Sequence, residues 1–198
     1  MKLNFELYNT LKEKVKEDVS ANKNDPWYQY SYNIYVNQQL TSIEDFWKFV
    51  AFAYSWMPTI PTIHFSKLEV SNDILLNELI KLKSGKANIE WLFQILTPVI
   101  NNSVVGVSKT LHFIAPNVIP IYDSRVISAW NNSFEGNDEL SLNKHKGNIA
   151  KVLFYTKKMN NWISKCNKID KTITLRDLEL VLYYYGKKID AKKKLQYE

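Results

Sequence analysis

The segment Asn101 to Trp130, NNSVVGVSKTLHFIAPNVIPIYDSRVISAW, holds the residues of this chain best suited to chemistry. Lys109 supplies an amine, Asp123 a carboxylate, and Arg125 a guanidinium two positions later. An apolar helical run ends at Asn101-Asn102, and Ser103-Val104-Val105-Gly106-Val107 reads as a short turn. A second apolar helix starts near Ser108 and is stopped by Pro116; a third starts at Tyr122-Asp123-Ser124-Arg125. A turn with one permissive glycine against a helix N-terminus points backbone N–H groups outward. That is a cradle for phosphate that ignores base sequence. Lys109 then falls in the first turn of the second helix, beside any bound phosphate. Asp123 falls at the start of the third, where the helix dipole favours its ionised form. A carboxylate close to a held phosphodiester is electrostatically odd, and chemistry at the adjacent sugar would explain it. Plainer roles stay open for each residue. Gly106 could serve only the turn, Lys109 only solvation, Asp123 or Ser124 only as an N-cap, and His112 as a hydrogen-bonded core histidine.

These residues must be positioned by helices. Almost every apolar pattern has the helical period. The apolar positions fall at Tyr8–Val19, Ile43–Tyr54, Ile74–Leu82, Trp91–Ile100, Ile149–Ile163 and Leu175–Tyr185. With the two helices of the reactive segment this makes seven or eight, and no hairpin signal accompanies them. Pro98 marks a kink or break, and Pro58 to Val70 is the one plausible extended stretch. Asn131 to Lys146 reads as a polar surface loop. The lysines at 192–194 read as a frayed, solvated tail, with a phosphate-contacting tail as the alternative.

Composition bounds the rest. The 198 residues suit one domain, 1–198, and 45% hydrophobic with 23% charged excludes wholesale disorder. One cysteine, Cys166, excludes an intrachain disulfide and a four-thiolate metal site. No leader-like apolar run and no membrane-length span is present, which implies a cytoplasmic protein with no membrane partner. His64, His112 and His145 are far apart and lack clustered carboxylates, so metal chemistry is not expected. The net charge is +6, and aromatics reach 14%. A basic chain rich in flat side chains suggests nucleic acid as partner.

The reactive segment resembles the helix-hairpin-helix DNA glycosylase superfamily, closest to the small archaeal-type 8-oxoguanine DNA glycosylases. The matching residues are Gly106-Val107-Ser108, Lys109, His112-Phe113 and Ile121-Tyr122-Asp123-Ser124-Arg125-Val126. The match covers about 30 of the 198 residues. It implies an all-α, two-lobed fold with the motif at 89–130. It implies release of a flipped base from double-stranded DNA by cleavage of its N-glycosidic bond, as a monomer without cofactor. Asp123 would stabilise the oxocarbenium-like sugar or align water, and Lys109 could attack C1′ instead. Ser103, Val105, Gly106, Val107, Ser108 and Arg125 would hold the DNA backbone.

Two departures stand out. Ser108 replaces the hairpin's second glycine, and Lys109 follows Gly106 by three positions where the family has four. One residue turns a helical side chain by about 100°, which points Lys109 away from the pocket and favours a monofunctional enzyme that leaves an abasic site. The interval from Lys109 to Asp123 is also shorter than the family's by roughly a helical turn. The flipped base would lie among Trp27, Tyr28, Tyr30 and Asn33, in the aromatic stretch PWYQYSYNIYVN, with Trp56 or Met57 as wedge. An oxidised purine in repair, or a hypermodified pyrimidine in defence against phage, is the expected target. The alternatives are a non-enzymatic hairpin module that binds DNA, and a helical interaction protein whose charge is incidental.

Overall fold

A computed structural model describes residues 2–195, apart from the side chain of Lys194; the expected domain 1–198 runs past these at both ends. The described residues form ten α-helices and no strand. They are α1 (Phe5–Lys14), α2 (Lys16–Asn24), α3 (Pro26–Val36), α4 (Ile43–Ser55), α5 (Asn72–Lys83), α6 (Ile89–Val99), α7 (Val104–Ile114), α8 (Ser124–Ser133), α9 (Asn148–Cys166) and α10 (Leu175–Leu195). Among the described residues no helix is long and apolar enough to cross a membrane.

Local chemistry sets the helix starts. Ser42 and Asp45 form a reciprocal capping box at α4. Asn4, Asp25, Ser71, Asn88, Ser103 and Asp123 each cap the next helix with a side-chain oxygen. Phe46, Phe49, Val50 and Ala53 then bury one face of α4, at a helical spacing.

The helices pack in two groups. α4, α5 and α6 pack on α7, while α1, α2 and α8 pack on α10, and α9 touches both central helices. Nine of the eleven residues of α7 are buried, so it acts as a core helix. Gly186 marks the closest approach of α10 to α8, because a methyl group there would collide with the carbonyl oxygen of Arg125. Gly186→Ala is therefore expected to push α8 off α10 and to cost about 1–3 kcal/mol, the usual range for overpacking. Urea denaturation checks this; an unchanged midpoint would show that the helices can separate freely.

Several expectations change. The run Tyr8–Val19 is two helices, broken at the fully buried Val15. α3, which is not among the expected helices, packs on the core through Tyr28, Tyr32, Tyr35 and Val36, while Trp27, Tyr30 and Ile34 are exposed. α6 continues through Pro98 to Val99, where the missing N–H falls in the last turn. Ile63 makes one antiparallel bridge to Ile100, and a 3-10 turn at Phe65–Lys67 follows, instead of an extended run. The stretch 131–146 is anchored, not a free surface loop: Phe134, Leu140 and Leu142 are buried, and the Trp130 indole N–H donates to the Leu140 carbonyl at 2.8 Å. The backbone at 192–195 continues α10, so Lys192 and Lys193 are helical; the side chain of Lys194 lies outside the described residues.

Candidate active site

The hairpin differs from its sequence reading. The turn is made by Asn101 and Asn102, at φ of 55° and 49°. This is the left-handed region that asparagine tolerates better than most residues. Helix α7 begins at Val104, four residues before Ser108, and the Ser103 hydroxyl accepts the Gly106 N–H at 3.0 Å. Gly106 is therefore helical and not a turn residue. Its lack of a side chain serves packing, because a methyl there would collide with the Tyr54 hydroxyl on α4.

Ser108 and Val107 are fully buried and cannot touch DNA. Ser108 has a different task. Its hydroxyl accepts the Tyr122 N–H at 3.1 Å and bonds the Val105 carbonyl at 2.9 Å. It thereby ties α7 to the segment leading into Asp123. Ser103 and Val105 are half-buried at the start of α7. The N–H groups of Val104 and Val105 make no hydrogen bond among the described residues, as a helix N-terminus requires. Arg125 is exposed, its guanidinium 5.6 Å from the Tyr183 ring centre.

A cavity of about 350 Å³ lies between the two central helices. α7 contributes Lys109, and the start of α8 contributes Asp123 and Val126. Arg176, Glu179, Leu180 and Tyr183 form one face of α10 toward it, at a spacing of three or four residues. Trp27 and Tyr28 from α3, with Trp56 and Met57 after α4, complete an aromatic wall. Two expected pocket residues are elsewhere. Tyr30 is 71% exposed and Asn33 is exposed; neither lines the cavity, because the helical turn of α3 carries them away from Trp27 and Tyr28.

Lys109 lines the cavity despite its shifted register. The earlier helix start compensates: α7 begins at Val104 and already contains Gly106, so the spacing from a turn glycine does not set the direction of Lys109. Its ammonium makes no hydrogen bond or ion pair among the described residues. Burial lowers its pKa below the usual lysine range, against the opposing pull of Asp123. Asp123 is 9% exposed and caps α8. Its Oδ1 accepts the Val126 N–H at 2.9 Å, and its second oxygen makes no hydrogen bond among the described residues.

Behind the cavity lies a buried polar network that sequence reading missed. Arg176 donates from Nε to the Tyr28 hydroxyl and from Nη1 to Glu179, each at 3.0 Å. The other Glu179 oxygen accepts the Ile121 N–H. Burial pushes the Glu179 carboxyl up to about 7, against the lowering effect of Arg176. His112 is the buried core histidine that its apolar helix face implies. Its Nδ1 lies 2.7 Å from the Ile119 carbonyl oxygen and its Nε2 lies 2.9 Å from the Tyr32 hydroxyl. Nδ1–H donating and Nε2 accepting satisfies both. Burial first, and Arg176 second, lower the imidazole pKa to about 3, so it is neutral. One signal for this network was available. Glu179 falls within the apolar stripe of Leu175, Leu178 and Leu182, where an acid needs a partner.

Comparison with family models, with curated proteins and with solved structures finds no match to this chain.

Proposed function

We propose that the protein is a DNA glycosylase with the two-lobed helix-hairpin-helix architecture. It flips a damaged or modified base out of double-stranded DNA into the cavity and breaks its N-glycosidic bond. One observation carries this reading: the carboxylate of Asp123, at the start of α8, and the ammonium of Lys109, which has no partner among the described residues, share one aromatic-walled cavity. A module that only binds DNA would need no such cleft next to Asp123.

In this reading the backbone beside the target meets the N–H groups of Val104 and Val105 and the Arg125 side chain. Trp27, Tyr28 and Trp56 supply flat surfaces for the base. Asp123 stabilises the positive charge that develops on the sugar, aligns a water, or does both. The product is an abasic site. The protein works as a cytoplasmic monomer in base-excision repair or in defence against phage DNA. The target is an oxidised purine or a hypermodified pyrimidine.

The test is a panel of duplexes, each carrying one damaged or phage-type base, treated with hot alkali after incubation. Strand breaks at the modified position are expected, with affinity for DNA that falls as salt is added. Salt-sensitive binding with no base released from any duplex would favour the non-enzymatic module.

The position of Lys109 favours a second route beside simple hydrolysis. Its neutral amine attacks C1′, the base leaves with its bonding electrons and takes up a proton, and the opened sugar is held as an iminium. Borohydride then reduces the iminium to a stable covalent complex. Trapping is expected to rise with pH as the amine loses its proton, and to level off below pH 10.5 because burial lowers the lysine pKa. Lys109→Met should abolish trapping. Trapping that survives this change would remove Lys109 from the chemistry.

A further inference from the structure

The cavity wall is rich in hydrogen-bond donors that the protein leaves unused. Among the described residues Lys109 Nζ has no partner, and Trp56 Nε1 is buried without one. Arg176 uses Nε and Nη1, but Nη2 makes no hydrogen bond among the described residues. Nη2 is also not a sealed atom. It is not among the fully buried atoms left without a partner, the Arg176 side chain is 17% exposed, and that side chain lines the cavity. On the accepting side, Glu179 is committed at both oxygens. Among the described residues Asp123 retains one oxygen without a partner, and Asn22, also in the cavity wall, keeps an unpartnered amide oxygen.

Arg176 is held rigidly. Its guanidinium lies 5.6 Å and 5.2 Å from the ring centres of Tyr28 and Tyr32, and those rings stack on each other at 5.4 Å. Glu179 neutralises its charge at 3.0 Å. A neutralised, immobilised guanidinium acts as a directed donor and not as a mobile charge.

We infer that Arg176 is the specificity-determining residue, and that it selects bases carrying an exocyclic carbonyl oxygen where they meet α10. This rests on the glycosylase reading and narrows its substrate class. A carbonyl oxygen accepts from Nη2. An amino group at the same place sets two donors against each other in a site with little water, leaving both unpaired. Guanine-type and cytosine- or uracil-type bases qualify, and adenine-type bases do not. Both an oxidised guanine and a hypermodified cytosine belong to the accepted class.

The test uses the full chain in single-turnover base release. One set of duplexes carries 8-oxoguanine, uracil or 5-hydroxymethylcytosine. The other carries 3-methyladenine or 7-methyladenine, which keep the exocyclic amino group and have no carbonyl. At least one base of the first set is expected to leave tenfold faster or more than any of the second. Arg176→Lys keeps a charge beside Glu179 but loses the planar fork. It should slow release of the preferred base at least tenfold, while affinity for a duplex with a tetrahydrofuran abasic site stays within twofold. A merely structural role for Arg176 would weaken both. If the lysine variant fails to fold, the neutral pair Arg176→Met with Glu179→Gln is measured in its place. Equal release of adenine-type bases, or an unaltered preference in the variants, overturns this inference alone. No release from any duplex by the unaltered protein overturns the glycosylase reading and this inference with it.

Discussion

Asp123→Asn is expected to slow base release by about a hundred- to ten-thousand-fold while leaving the fold intact. The two effects separate because the cap and the proposed catalytic role use different oxygens of Asp123. As the cap of α8, its Oδ1 accepts the Val126 N–H at 2.9 Å. Asparagine caps a helix about as well as aspartate, so that bond survives. The second oxygen has no hydrogen bond among the described residues, Asp123 lines the cavity, and the substitution removes the negative charge that a developing oxocarbenium would require. Stability measured by urea denaturation should change by less than about 1 kcal/mol. Asp123→Ala makes the useful contrast, because it loses the cap as well and should cost about 1 kcal/mol in stability. Full activity in the asparagine variant would mean that Asp123 is only a cap.

The second large effect is on stability. Glu179→Ala should destabilise the fold by about 3–5 kcal/mol, the usual result of removing one partner from a buried ion pair. Glu179 is 1% exposed, and its loss would strand two groups. Arg176 would keep a charge without its counter-ion, and the Ile121 N–H would lose its acceptor. A typical domain is stable by only about 5–15 kcal/mol, so this is a large share. Glu179→Gln keeps an acceptor for Ile121 and should cost less. Urea denaturation of the three proteins checks the order. A loss under about 1 kcal/mol for the alanine variant would show that the pair contributes little. Ile121 lies two residues before Asp123, so the same measurement probes how Asp123 is held.

The all-helical class was legible because an apolar residue every three or four positions has no other stable use. The start of α8 was legible too: Asp123 was read as the start of a helix, and it is the cap of α8. The hairpin was misread by four residues because Gly106 was taken for a turn residue. Two asparagines made the turn instead, and the glycine let α7 approach Tyr54. Tyr30 and Asn33 were assigned to the pocket by their nearness to Trp27 along the chain. Once α3 is helical, neighbours in sequence face different ways, and only Trp27 and Tyr28 of that set reach the cavity.

Sequence alone determined most of the helix-forming segments, the cap of α8, the basic character and the position of Asp123. Each depends on residues within a turn or two of one another, or on composition. Tertiary structure alone decided that Lys109 shares a cavity with Asp123 and that α10 forms its floor. Arg176 and Glu179 lie more than fifty residues beyond Asp123, and only the packing of α8 on α10 brings them together. That packing depends on Gly186 and on the complementary shape of two helix faces, which no local pattern along the chain encodes.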